Sequence, residues 1–305
     1  MLIKGILVTF LAPMENHIAN GGEKLLGNAS SIKRRPDGKV YVSGQMQRHV
    51  LFSAIDRLNQ DDTAKGATYV SNGDGIGNNI ETDLRADLGG FMHPSKGDYS
   101  GRRTAPLTVT PAVALKESEV GRDLLVRIRQ NAESDKDQAL ATKEFSEKDM
   151  MHMNFFLDVN SLGISKVFEY ANNFHINSKY IKHINEAERK RRAKLYIEST
   201  RMMNDYANQA RNAVSGEPQQ VLIVFDTKMS RKASRYFVAG KTEKTSILAE
   251  LTDRNATYFF GDDTQGNVSV AKAYSEALAF LNTNNLYDPC GGDNNIQTFA
   301  QAFPE

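Results

Sequence analysis

Apolar residues alternate well enough over residues 2–12 to predict a first strand, and its polar members Lys4 and Thr9 suggest a sheet face or end that is not fully covered. A polar, glycine-bearing loop follows over residues 13–39. Met46, Val50, Ala54, Ile55 and Leu58 then recur at helical spacing, predicting a helix over 44–59. Residues 60–105 have another texture: eight glycines, from Gly66 to Gly101, punctuate a stretch too long for a simple loop, so it reads as an insertion with partial structure of its own. Strands are predicted at 106–115, 124–129 and 151–159, with a charged, exposed and mobile projection over 130–149. A second helix opens near Asn185, where Glu188 completes a capping-box pattern, and carries Leu195, Ser199, Met202, Tyr206 and Ala210 on one stripe. Residues 221–225 form a compact buried strand. Strand, helix, strand, strand, helix, strand is the ferredoxin-like or RNA-recognition-motif succession, so the fold class is α+β. Beyond residue 226, strands at 235–239 and 257–260 and a helix at 269–281 precede a polar tail at 282–305. No internal repeat is visible.

At 305 residues and 40% hydrophobic content, the chain can form one large domain or a core with a big insertion. No run approaches the length of a membrane span, and the strand-like start is too short for a signal peptide, so a cytoplasmic protein is expected. The single cysteine, Cys290, excludes an internal disulfide and a multi-cysteine zinc site. Net charge is only +1, so overall electrostatics make no case for a polyanion and the location of the cations must. They cluster at Lys33-Arg34-Arg35, at Arg102-Arg103, at Arg189 to Lys194 and from Lys228 to Arg235. The run at 189–194, on a glutamate-rich helix, reads first as a solvated face.

The most informative chemistry lies where residues 41–43 run into the first helix. Ser43 can cap that helix, and its free first-turn N–H groups would sit beside Gln45 and Arg48, a cradle suited to a phosphate. Gly73-Asp74-Gly75-Ile76-Gly77 lacks the flanking strand and helix and the Lys-Ser or Lys-Thr of a nucleotide loop. The six histidines show no H-x-x-x-H spacing and support no metal site, and no cofactor is expected.

Ser43-Gly44-Gln45 followed by Arg48-His49 resembles the S-x-Q-x-x-[KR] signature of CRISPR-associated backbone subunits of the repeat-associated (RAMP) superfamily. Asp87-Leu88-Gly89-Gly90-Phe91-Met92 is similar to that family's D-L-x-G-F-M piece. Gly101-Arg102-Arg103, with Pro106-Leu107 and Pro111-Ala112-Val113-Ala114-Leu115 after it, resembles the strand that follows. The nearest branch is the DevR type, and the likeness runs from about residue 1 to 226. It implies a modified ferredoxin-like core, or palm, at 1–59 and 106–290, an inserted finger region at 60–105 and a thumb hairpin at 130–150. It also implies a non-catalytic subunit repeated along the guide RNA of a type I, I-B-like Cascade complex.

In that resemblance Ser43, Gln45 and Arg48 grip guide phosphates. His49 either meets a 2′-hydroxyl or is a surface histidine. Lys33, Arg34 and Arg35 overhang the same sheet end as further phosphate contacts. Arg102 and Arg103 either reach RNA or target, or neutralise Asp83, Asp87 and Asp98. The thumb would wedge between nucleotides, at a stacking cost of a few kcal/mol per step, with Met150, Met151 and Met153 at its base as adaptable contacts or as core. Implied partners are guide RNA, target DNA, further copies of the chain, the subunit holding the guide's 5′ end, the guide-processing subunit and a large subunit. Two alternatives stand beside this reading. One is a type III-like subunit cutting target RNA through an aspartate after the first strand, where Asp37 lies in an ordinary Pro-Asp-Gly turn. The other is a regulatory RNA-binding protein, or a small-molecule enzyme, outside CRISPR.

Overall fold

An apolar run as dense as residues 6–12 is long enough to be buried on both faces. In a computed structural model, which describes residues 1–25, 29–74, 77–92, 102–128, 138–265 and 268–303, that run lies inside strand β1 (Gly5–His17). Next come β2 (Tyr41–Val42), α1 (Gly44–Asp61), α2 (Leu84–Gly89), β3 (Leu107–Val109), β4 (Ala112–Ala114), β5 (Val120–Ile128) and β6 (Gln138–Asp158). They are followed by β7 (Ile164–Ala171), β8 (Phe174–Lys182), α3 (Glu186–Ser199), β9 (Gln220–Asp226), α4 (Lys241–Asp253), β10 (Thr257–Asp262) and α5 (Val270–Thr283). The chain is thus a mixed α+β fold.

The sheet runs in the order β10-β9-β1-β6, with β3 and β4 on the far side of β6 and all of these pairs antiparallel. Its faces sort strictly by alternation. Val8, Phe10, Met151, Met153, Phe155 and Ile223 enter a core with Val50, Leu51 and Phe52 of α1, Tyr196 of α3 and Tyr274 of α5. Leu7, Leu11, Phe156, Leu222 and Val224 enter a second core against Ala233, Phe237, Ile247 and Leu251.

That second core corrects the expectation of an uncovered face. Thr9 is fully buried, with its hydroxyl 3.1 Å from His152 Nε2, and Lys4 lies 4.4 Å over the Tyr287 ring. The cover comes from residues 227–256, where the predicted strand at 235–239 is instead a 3-10 turn, Lys232–Val238, leading into α4. The basic residues there pair locally: Lys232 with Glu250, Arg235 with Glu243, and Arg231 over the Phe156 ring. Met151 and Met153 are fully buried and take the core reading.

Two ribbons extend from this body. Residues 138–149, expected to be a mobile projection, are the first half of the 21-residue β6, paired with β5 from Val120↔Ser146 to Ile128↔Gln138; residues 129–137 lie outside the described ones. The β7–β8 hairpin was not predicted, although its signal is present. Asn172 and Asn173 both take positive φ (49° and 67°), the geometry of a two-residue turn between strand-forming runs. Its aromatic residues Tyr170 and Phe174 are exposed.

The insertion is locked down by ion pairs. Asp87, within α2, is fully buried and accepts from Arg103, from Arg192 at 2.7 Å and from the Gly163 N–H at 2.9 Å. Arg192 also donates to the carbonyls of Ile80 and Glu81, and Arg189 to those of Val159, Leu162 and Tyr287. Arg189 and Arg192 have no exposed surface, so the basic run on α3 is only in part a solvated face, at Lys194 and partly at Lys190. Arg189 and Arg192 turn inward because buried carbonyls and Asp87 can satisfy their donors. The expected polar tail packs too: Asn285–Leu286 pairs with Leu2–Ile3, and Phe299 is buried with its N–H on Glu81.

Gly90 makes this junction possible. Its φ is +67°, and a Cβ there would collide with the Arg103 carbonyl and lie 2.8 Å from the Ala105 nitrogen. Gly90→Ala is therefore expected to destabilise the chain by about 2 kcal/mol or more, read by urea unfolding.

Candidate nucleic-acid interface

α1 begins as its sequence requires. The Ser43 hydroxyl accepts from the Met46 N–H at 3.2 Å, and the Ser43 N–H is held by Asn20 Oδ1 at 3.0 Å. The N–H groups of Gly44 and Gln45 have no acceptor among the described residues, which leaves donors and the positive end of the helix dipole facing outward. Gln45 is exposed and Gln47 is buried, bonded to the Tyr206 hydroxyl at 3.2 Å.

Arg48, one turn on, does not stand free. Its guanidinium donates to the Gly89 carbonyl and lies 5.6 Å from the Phe52 ring centre. Arg85, from α2, lies 4.6 Å from the same ring and donates to the Ser71 carbonyl. Partial burial lowers the affinity of both guanidiniums for their protons, and in Arg85 the charge of Arg48 lowers it further, against Asp83, Asp56 and Asp74. Both remain cations at any ordinary pH, each with donors to spare. With Gly44, Gln45, His49, Asn72, Gly73, Asp74, Leu107 and Val109 they line a cleft of about 560 Å³.

The other expected contacts divide. His49 is half-exposed at the cleft, with Nε2 3.7 Å from Asp205. Lys33 is half-buried and Arg34 and Arg35 are exposed, on the turn leading into β2, away from the cleft lining. Asp37 sits at the tip of that turn, 3.8 Å from Arg35 and 3.9 Å from Lys39, and Gly38 follows with φ +77°, the geometry of an ordinary turn. Arg103 is buried on Asp87, so of its two readings it takes the neutralising one. Arg102 contributes backbone pairing to Met92.

Arg85 is the cleft-lining cation that sequence reasoning missed. Asp83 caps α2 through the Arg85 N–H at 2.9 Å, a Ser/Asp-type helix start that could have been read two residues before it, but the surrounding glycines made the segment look flexible.

Residues 14–212 match the family model described as "CRISPR-associated negative auto-regulator DevR/Csa2". The chain belongs to this family. The DevR/Csa2 fold here is similar to a solved chain described as "CRISPR RNA-guided surveillance complex", at TM-score 0.56 and 13% identity over 90% of this chain and 99% of that one. It is also similar to one described as "CRISPR RNA-guided surveillance complex, pre-nicking", at TM-score 0.54 and 10% identity over 91% and 99%. At such identities the likeness is one of fold. None of the curated proteins matches the sequence. Among the described residues of this DevR/Csa2 chain, no helix is long and apolar enough to cross a membrane.

Proposed function

We propose that this DevR/Csa2-family chain binds CRISPR guide RNA as a repeated backbone subunit of a type I Cascade complex in the cytoplasm, holding phosphates and leaving base edges free to pair with target DNA. The observation that carries the reading is the Arg48–Arg85 pair beside the α1 amino end. Two like charges brought together and partly stripped of water are stabilised by an anion, and unpaired first-turn N–H groups add to the attraction. Grip on phosphates carries no sequence information, which suits a protein that leaves sequence choice to base pairing.

A ferredoxin-like core is supported by the order β9-β1-β6 followed by β3 and β4, with α1 and α3 in the core on one face. In this reading residues 60–105 are the fingers, and the β5–β6 ribbon, which brackets residues 130–150, supplies the thumb. Neighbouring copies, the 5′-end-holding, guide-processing and large subunits are the partners. The chain holds RNA without cutting it. Two measurements test this: protein purified from its native host is expected to carry RNA of uniform length, and labelled RNA is expected to stay intact with or without magnesium. RNA-free protein would overturn the reading, and cleavage abolished by Asp37→Ala would replace it with the type III-like one.

A further inference from the structure

A second cleft, of about 810 Å³, opens on the sheet face that carries Phe156 and Phe237. Its floor is His152 and Asn154 of β6, its aromatic walls are Tyr41 and Phe237, and Arg35 and Lys39 stand in its lining. It lies next to the phosphate cleft. Val109 lines the first, Thr110 and Pro111 line the second, and the three residues form the ridge between them. Pro111 creates that ridge: it has no N–H to pair with β6, and the ladder breaks between β3 and β4.

Three features of the cleft describe its ligand. Asn154 Nδ2 donates to the Thr110 hydroxyl at 3.3 Å, while Asn154 Oδ1 is buried with no hydrogen-bond partner. A buried acceptor left without a donor is costly, and an Asn154 amide that turns into the cleft to meet a ligand N–H escapes that cost. Tyr41, His152 and Phe237 offer ring surfaces, and burial holds the His152 imidazole neutral, with its pKa pushed down to about 4. Arg35 and Lys39 bring two cations to the lining, with the carboxylate of Asp37 3.8 Å and 3.9 Å from them.

An N–H donor on a flat ring, attached to an anionic backbone, is a nucleobase on its strand. We propose that this cleft receives one base of the RNA whose neighbouring phosphate lies on Arg48 and Arg85, with the Asn154 amide turning outward so that its Oδ1 accepts from a base N–H, and with the strand's next phosphates near Arg35 and Lys39. This rests on the RNA-binding reading above. Every RNA base offers an N–H donor, so the site takes a base without choosing which, consistent with a protein that holds any guide.

The test is a scan of single abasic positions through the shortest single-stranded RNA that one copy of the full chain still binds at full affinity, so that the ends of the RNA fix its register. One position is expected to weaken binding about tenfold, the scale of one lost base stack. That penalty is expected to vanish in Val238→Trp, which fills the cleft from its exposed rim, and in Asn154→Leu. RNA bound tightly with no sensitive position, or a sensitive position unchanged in both variants, would overturn the base site and leave the phosphate site standing. No RNA binding by the unaltered chain would overturn both.

Discussion

Asp87→Ala is expected to destabilise the chain by about 3–5 kcal/mol, measured by urea unfolding at neutral pH, because it strands two buried guanidiniums, Arg103 and Arg192, without a counter-charge. The effect is large because one carboxylate joins three distant parts of the chain: α2 of the insertion, α3 and the turn at Gly163. Burial pushes the Asp87 carboxyl upward, but Arg103 and Arg192 reverse that and hold it below its ordinary range. A depressed folded value means that the unfolded chain binds the extra proton. Stability from Asp87 is therefore fully present above about pH 4 and is lost as pH falls through the folded value. A separate loss begins at higher pH. Burial holds His152 and His183 neutral, each pushed from 6.5 down to about 4, so the unfolded chain takes up their protons as pH falls between those values. The Asp87→Ala chain should keep the His152 share of this first slope, since the Asp87 charge acts on His183 and not on His152, and lack the Asp87 share of the second. A cost below 1 kcal/mol would mean that the insertion is held by other contacts.

Arg48→Ala is expected to weaken RNA binding about tenfold to a hundredfold, uniformly across sequences, and to lower the slope of log affinity against log salt by about one phosphate contact. Arg85→Ala should do the same, since its guanidinium shares the Phe52 ring and the cleft. Loss of the Arg48 bond to the Gly89 carbonyl costs only about 1 kcal/mol, so the variant should remain folded and thermal melting serves as the control. Unchanged salt slopes in both variants would remove the pair from the RNA site. Arg103 supplies the contrast: Arg103→Ala is predicted to act through stability, because its charge is spent on Asp87.

Much of the fold was legible because it rests on local rules. The helix at 44–59, its Ser43 cap, the strand expected at 106–115, which forms as β3 and β4, the strand at 221–225 and the helix at 269–281 all follow from spacing and capping within a few residues. The covered back of the sheet was not legible, since its cover arrives from residues 227–256, more than 200 positions beyond β1. The β7–β8 hairpin was missed although its Asn172-Asn173 turn signal is local.

The cationic runs show the limit most clearly. On its own, the chain's pattern of apolar spacings, caps and turn residues settled where the main helices and strands of the sheet begin, and that Arg48 stands beside an open helix start. Only the assembled fold decided which arginines meet solvent: Arg103, Arg189 and Arg192 turn inward, and Arg85 joins Arg48. Helix and strand formation depend on neighbours a few residues away, whereas the cost of burying a charge depends on a counter-charge or carbonyl that folding brings from far along the chain, as Asp87 is brought to Arg192.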